Sequence, residues 1–241
     1  MAVMSAIHPT TYAPLCVEVV EFLPLYVKKG GILMQVIGLT GQTGAGKSTV
    51  AKLIKDDGYF HIDADVLAKE IIDSSDYIKA ALASKFGDDV ILPDGVVNRK
   101  ILASRAFASP ENTEALNQIT HPAVIKATQR IIDTVKNDPY YKGVIIDAAA
   151  LFESGIDKIC DFTIAVVAPA RYRMQRIMDR DGITEEQAVA RMRAQKSIHY
   201  YTKHADRIIH NAPPFDVREN NQWKVKFLPK EEYDALKTRR S

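Results

Sequence analysis

The segment "GQTGAGKS", Gly41 to Ser48, places three glycines ahead of a lysine and a hydroxyl residue in the spacing G-x-x-x-x-G-K-[ST]. Glycines at 41, 44 and 46 permit a tight turn in which successive backbone N–H groups point inward. A helix starting near Lys47 adds roughly half a positive charge at the same place. Such a cradle suits the β-phosphate of a nucleotide, with Gly41, Gly44, Ala45, Gly46, Lys47, Ser48 and Thr49 lining it. Lys47 is placed to bridge the β- and γ-phosphates, and the Ser48 hydroxyl to ligate Mg²⁺. A ligand-free glycine turn has no use for that lysine and serine in that order. The cradle does not specify an acceptor, because the same loop serves switches, ATP-driven machines and small-molecule kinases.

Three further groups bear on the acceptor. In "HIDADVLAKEI", Asp63 and Asp65 fall at the carboxyl end of a strand, the edge of an open sheet where ligands collect. A carboxylate within reach of a hydroxyl orients it and takes its proton as the bond to phosphorus forms. Capping of the helix "VLAKEI" is the competing role for Asp65, and spacing alone leaves the two evenly matched. "ARYRMQRIMDRD" carries Arg171, Arg173, Arg176 and Arg180, the last three on one helical face. Arginines on a lid helix neutralise charge on a transferring phosphate once water is excluded. Asp147 ends the apolar run "GVII", a position from which a carboxylate reaches Mg²⁺. His121, before Pro122, is as readily a cap or a packed histidine as a substrate contact, and the histidines show no metal-ligand spacing.

These residues need a frame, and the chain supplies one. "QVIGL", "YFHI", "GVIIDAA", "FTIAVVAP" and "ADRIIHN" are short apolar runs alternating with helical patterns. Strand and helix in alternation imply a parallel sheet covered on both faces. Between the second and third runs the pattern is mainly helical. Ser109 and Pro110 mark one helix start, and Val124, Thr128, Ile131, Ile132 and Val135 form one stripe. Thr184 and Gln187 have capping-box spacing in a second helical insertion. The expected division is an appendage over 1–33, a core over 34–228 holding an acceptor-binding insertion (63–137) and a lid (171–195), and a tail over 229–241. Met34 precedes the first convincing strand, so translation of the working protein is expected to begin there.

With 241 residues, 46% of them hydrophobic, the chain is long enough for a substantial core. A net charge of +2 gives no general footprint for nucleic acid. Cys16 and Cys160 lack the spacing of a disulfide framework or zinc site, which fits a reducing cytoplasm. Glu18, Glu21, Pro24, Lys28 and Lys29 interrupt the longest early apolar stretch, so no membrane span is expected. The sequence carries no signal for oligomeric state.

Taken together, these motifs resemble those of the dephospho-coenzyme A kinases over nearly everything from Met34 to about Asn211. "IGLTGQTGAGKSTVA" is similar to that family's opening, and "IDADVLAKEI" to its DAD motif. "FGDDVILPDGVVNRKILASRAFASPENTEALNQITHP", "LFESG", "QRIMDRDGITEEQAVARMRAQ" and "ADRIIHN" follow in the family's order. The resemblance implies an α/β P-loop kinase fold of three layers with a parallel sheet, a helical acceptor-binding insertion and a helical lid. It implies transfer of phosphate from ATP to the ribose 3′-hydroxyl of dephospho-CoA, with Asp65 as base and Arg176 as the lid arginine. It also implies Asn211 near adenine, and it makes His121 and Phe152 candidate acceptor contacts.

Ala149, Ala150 and Leu151 stand where the family usually has proline-leucine-leucine. "KSIHYYTKHAD" replaces an arginine-rich stretch, leaving Lys196, His199 and Lys203 as the cations there. Two rival readings remain on these residues. One is another small-molecule P-loop kinase, acting on a nucleoside monophosphate or sugar acid. The other is a nucleotide-dependent switch, disfavoured because the guanine-reading Asn-Lys-x-Asp pattern is absent.

Overall fold

The computed structural model describes residues 27–28, 31–32, 34–211 and 226–229. In chain order these form β1 (Val27–Lys28), β2 (Gly31–Ile32), β3 (Gln35–Gly41), α1 (Lys47–Asp56), β4 (Tyr59–Asp63), α2 (Ala64–Ser74), α3 (Asp76–Phe86), α4 (Arg99–Ala106) and α5 (Pro110–Val135). Then come β5 (Gly143–Asp147), β6 (Phe162–Val167), α6 (Ala170–Asp181), α7 (Glu185–Arg193), α8 (Ile198–His204), β7 (Arg207–His210) and β8 (Lys226–Pro229).

The main sheet has the order β4-β5-β3-β6-β7-β8, parallel from β4 to β7 with β8 antiparallel at the edge. Every residue of β3 is buried, as a central strand covered on both faces requires. The period-two alternation decides what each face meets. Ile37, Leu39, Ile145, Ile164 and Val166 pack with Val50, Ala51 and Ile54 of α1. Val36, Val144 and Ile146 pack instead with Val124, Ile132 and Val135 of α5. Truncating a fully buried member such as Ile54 or Ile145 to Ala would cost about 2–5 kcal/mol.

The helical insertion has its own small core of Ile78, Leu82, Phe86, Val90, Val97, Leu102 and Ala106. Its helices start where the sequence offers caps. Ser75, Asn98 and Ser109 each accept a backbone N–H, and Pro110 occupies the first turn of α5. Thr184 and Gln187 complete the expected capping box of α7. The α5 stripe then fastens this insertion to the sheet.

The structure decides one open alternative and adds strands in two places. The cap of α2 is Asp63, whose side chain accepts from the Val66 N–H at 2.9 Å, so Asp65 lies inside the first turn and is no cap. The expected parallel sheet is present over five strands, and β8 adds one antiparallel edge. Ahead of Met34, within the expected appendage, β1 and β2 pair antiparallel. The remainder of the appendage, and the tail after Pro229, lie outside the described residues.

Candidate active site

Strand β3 delivers its end to the phosphate loop, and the loop's carbonyls are held from outside. Gln42 O accepts the Ala45 N–H at 3.0 Å, and Gly46 O accepts from Thr49 and Val50 at 3.1 and 3.2 Å. Arg173 Nε donates to Thr43 O at 2.9 Å. Arg176 Nη1 donates to Gly44 O at 3.2 Å and Ala45 O at 3.4 Å. Asn211 Nδ2 adds a bond to Ala45 O at 2.8 Å. Among the described residues the N–H groups of Gly44, Gly46, Lys47 and Ser48 have no protein acceptor. Carbonyls tied outward and N–H groups left open inward make an anion cradle, reinforced by the start of α1.

The glycines are required by this outer packing. At Gly44, with φ +73°, a Cβ would sit 2.5 Å from the Arg173 carbonyl oxygen, so α6 lies directly on the loop. At Gly46, with φ +95°, a Cβ would collide with the Asn211 side-chain amide.

The predicted arginine face therefore divides. Arg173 is 5% exposed, and burial pulls its pKa down, with Tyr201 opposing. Its guanidinium also reaches Gln195 Oε1 at 3.5 Å, and the same oxygen accepts the Thr43 N–H at 2.8 Å. Arg176 faces the loop and the Asn211 carbonyl, at 3.3 Å from each terminal nitrogen. Arg180 turns away to Asp181, and exposed Arg171 lies over the Tyr172 ring. The first turns of the expected lid are thus docked on the loop. Gln195 and Gln42, whose Nε2 donates to Lys196 O at 3.3 Å, were not singled out from sequence. Neutral amides carry no charge signal, although Gln195 does stand in the family-like "RMRAQ" stretch.

The expected acceptor side falls on β4 and β5, which run in register so that Asp63 pairs with Asp147. Asp147 is 6% exposed, ion-paired with Lys47, and has His61 Nε2 at 3.7 Å. Asp65 Oδ2 accepts the Ala149 N–H at 3.3 Å. Asp65 is exposed as a residue at the sheet edge, with its carboxylate partly desolvated there. Burial there raises its pKa above the ordinary carboxylate value. Lys47 and the Ala149 N–H oppose that rise, while Asp63 and Asp147 add to it. A carboxylate so tuned is a suitable proton acceptor close to the phosphate lysine.

His121 lies within α5, and burial lowers its pKa with Glu114 opposing, which favours the neutral ring. Phe152 packs between the α5-side core and α8. Thr49 is half-buried behind the cradle, while Ser48 is exposed at its mouth. For a divalent cation the donors are hard oxygens, the Ser48 hydroxyl and the Asp147 carboxylate. Among the described residues no three His, Cys, Asp or Glu side chains gather to hold a metal. This donor set fits Mg²⁺, which keeps several waters and takes further oxygens from substrate phosphates.

The family profile described as dephospho-CoA kinase matches residues 35–215. The chain belongs to the dephospho-CoA kinase family. That family catalyses ATP-dependent phosphorylation of dephospho-CoA, the last step of coenzyme A biosynthesis. The dephospho-CoA kinase of Corynebacterium glutamicum is 36% identical over 175 residues, covering 73% of this chain and 87% of that protein. The Corynebacterium diphtheriae enzyme is 37% identical over 186 residues, covering 77% and 92%. Among solved structures, dephospho-CoA kinase from Campylobacter jejuni superposes with a TM-score of 0.54 at 26% identity, covering 73% and 88%. TT1252 from Thermus thermophilus gives 0.64 at 28% identity, covering 86% and 96%. As in this family, the substrates of this dephospho-CoA kinase are ATP and dephospho-CoA. No helix among the described residues is long and apolar enough to cross a membrane.

Proposed function

We propose that ATP phosphorylates the ribose 3′-hydroxyl of dephospho-CoA between the phosphate loop and the start of α2, releasing ADP and CoA. The observation that carries this reading is the Asp65 carboxylate, fixed by the Ala149 N–H at 3.3 Å on the sheet edge that also carries the Lys47–Asp147 pair. Asp65 takes the 3′-hydroxyl proton as the oxygen attacks the γ-phosphorus. Lys47, released from Asp147, follows the transferring phosphate, and the open N–H groups of Gly44, Gly46, Lys47 and Ser48 hold the β-phosphate. Arg176 leaves its three long carbonyl contacts to meet charge developing on the phosphoryl group.

Ser48 and Asp147 would hold Mg²⁺ brought with ATP, and the ion supplies charge neutralisation across the phosphates. Asn211 borders the ATP adenine from its fixed place against Ala45. The helical insertion receives the acceptor, with His121 and Phe152 as contacts, and residues 171–195 serve as the lid. A cytoplasmic site of action suits a chain whose described thiol, Cys160, is half-buried and unpaired, its pKa pushed up to about 12 by desolvation. The test is ADP release with Mg-ATP and dephospho-CoA, a nucleoside monophosphate, a sugar acid or no acceptor. Stimulation by dephospho-CoA with phosphate on its 3′-hydroxyl is expected; stimulation by another acceptor alone would overturn the assignment.

A further inference from the structure

Strand β4 runs parallel to β5 with His61 opposite Ile145 and Asp63 opposite Asp147. Because side chains alternate along a strand, His61, Ile145 and Asp147 share one face of the sheet, the face on which Ile145 packs against α1. His61 thereby stands diagonally across from Asp147, and its Nε2 lies 3.7 Å from Asp147 Oδ2. The other carboxylate oxygen, Oδ1, takes the Lys47 ammonium. One buried carboxylate thus has a cation on one oxygen and an imidazole nitrogen just outside hydrogen-bond distance on the other. That nitrogen is itself buried and has no hydrogen-bond partner.

Nucleotide binding changes what this arrangement needs. A phosphate entering the loop draws Lys47 away, and a carboxylate only 6% exposed then loses its charge partner. Leaving that charge unanswered is strongly unfavourable and would count against binding. An imidazole with its proton on Nε2 is a donor. Closing the gap by about 0.5–1 Å brings it into hydrogen-bond range of Asp147. No existing bond of Nε2 has to break for this to happen.

We propose that His61 is a positioning residue, one that holds Asp147 once Lys47 leaves for the nucleotide's phosphates. It acts on the substrate only through Asp147 and Lys47, by making the lysine easier to release. This rests on the nucleotide reading of the loop given above.

The test titrates ADP by calorimetry without divalent metal, so that only the chain's own groups can answer the Asp147 charge. His61→Leu keeps an apolar side chain in the same place and removes the donor; ADP affinity should fall about tenfold, the order expected for one hydrogen bond to a charged group. His61→Gln puts back an N–H and should bind within about threefold of wild type. In an Asp147→Asn background no charge needs an answer, and His61→Leu should then change ADP affinity by less than about twofold. A histidine with a purely structural role would weaken ADP equally in both backgrounds. That result overturns the proposal, as does an unchanged affinity in His61→Leu or a Gln variant no better than the Leu variant. Should His61→Leu fail to fold, wild type labelled with ¹⁵N-histidine decides. ADP should move downfield the one Nε2 proton resonance that is missing from His61→Gln, and a resonance that does not respond overturns the proposal. Absence of any ADP binding by wild type overturns the nucleotide reading itself, a result distinct from binding that His61 does not affect.

Discussion

Arg173 and Thr43 are joined through the main chain of the phosphate loop: Arg173 Nε donates to the Thr43 carbonyl at 2.9 Å, and Gln195 takes the other side of the same residue, its N–H, at 2.8 Å. Arg173 and Gln195 therefore fix one loop residue from both faces. The buried guanidinium has a fork that a lysine does not reproduce.

Arg173→Lys should raise the KM for ATP about tenfold or more, because a charge-assisted hydrogen bond of this kind contributes about 1.5–3 kcal/mol. Gln195→Ala should act in the same direction. Turnover at saturating ATP and the KM for dephospho-CoA should change less. Steady-state kinetics with each substrate varied in turn would decide, and an effect confined to dephospho-CoA would contradict this role.

Asp65→Asn should preserve the Ala149 contact through the amide oxygen and lower turnover by about 10² or more. Near-normal turnover would remove Asp65 from the chemistry, with no capping role to fall back on, since Asp63 is the cap.

The direction of the Asp65 pKa shift makes a separate prediction. Because burial raises it, the acid limb of kcat/KM should lie above the pH of about 4 at which a free aspartate titrates. The sign for stability is opposite to that of a salt-bridged carboxylate. The folded chain holds this proton more tightly than the unfolded one, so ionising Asp65 opposes folding as pH rises through the raised value. Asp65→Asn should abolish the acid limb and keep or raise the melting temperature at neutral pH. A pH–rate profile with melting curves tests both, and a variant melting well below wild type would contradict the sign.

Arg176→Ala should depress turnover more than dephospho-CoA affinity, since its guanidinium bonds to Gly44, Ala45 and Asn211 carbonyls are long enough to exchange for phosphate oxygens. Single-turnover phosphoryl transfer separates the two. A loss restricted to binding would make Arg176 a loop support like Arg173.

The parts legible in the sequence are those governed by local chemistry. Three glycines before Lys47 demand a positive-φ turn and a helix, and the Val124, Thr128, Ile132 and Val135 spacing dictates the face that α5 buries. The sequence could not tell Arg173 from Arg180, which share a helical face and a side chain. Only the loop lying against the first turns of α6 separates them, and Asp181 takes the second. Asp63 and Asp65 are similarly indistinguishable by type, and the start of α2 at Ala64 decides which one caps. Strand β8 follows a long separation from β7, and pairing across such a gap leaves no local pattern to read.

Gly46→Ala tests the loop's outer packing by a different route. The new Cβ would have to occupy the space of the Asn211 amide at a backbone φ of +95°, where L side chains are strained. Displacing that amide leaves the Ala45 carbonyl with only its longer Arg176 contact, and the loop loses one of the bonds that turns its N–H groups inward. ATP affinity should fall at least tenfold while the sheet, buried elsewhere, keeps its melting transition within a few degrees. Asn211→Ala combined with Gly46→Ala relieves the collision but not the strain or the lost bond, so affinity should remain low. Recovery in the double variant, measured by ATP titration calorimetry, would assign the defect to crowding alone and remove the carbonyl bond from the argument.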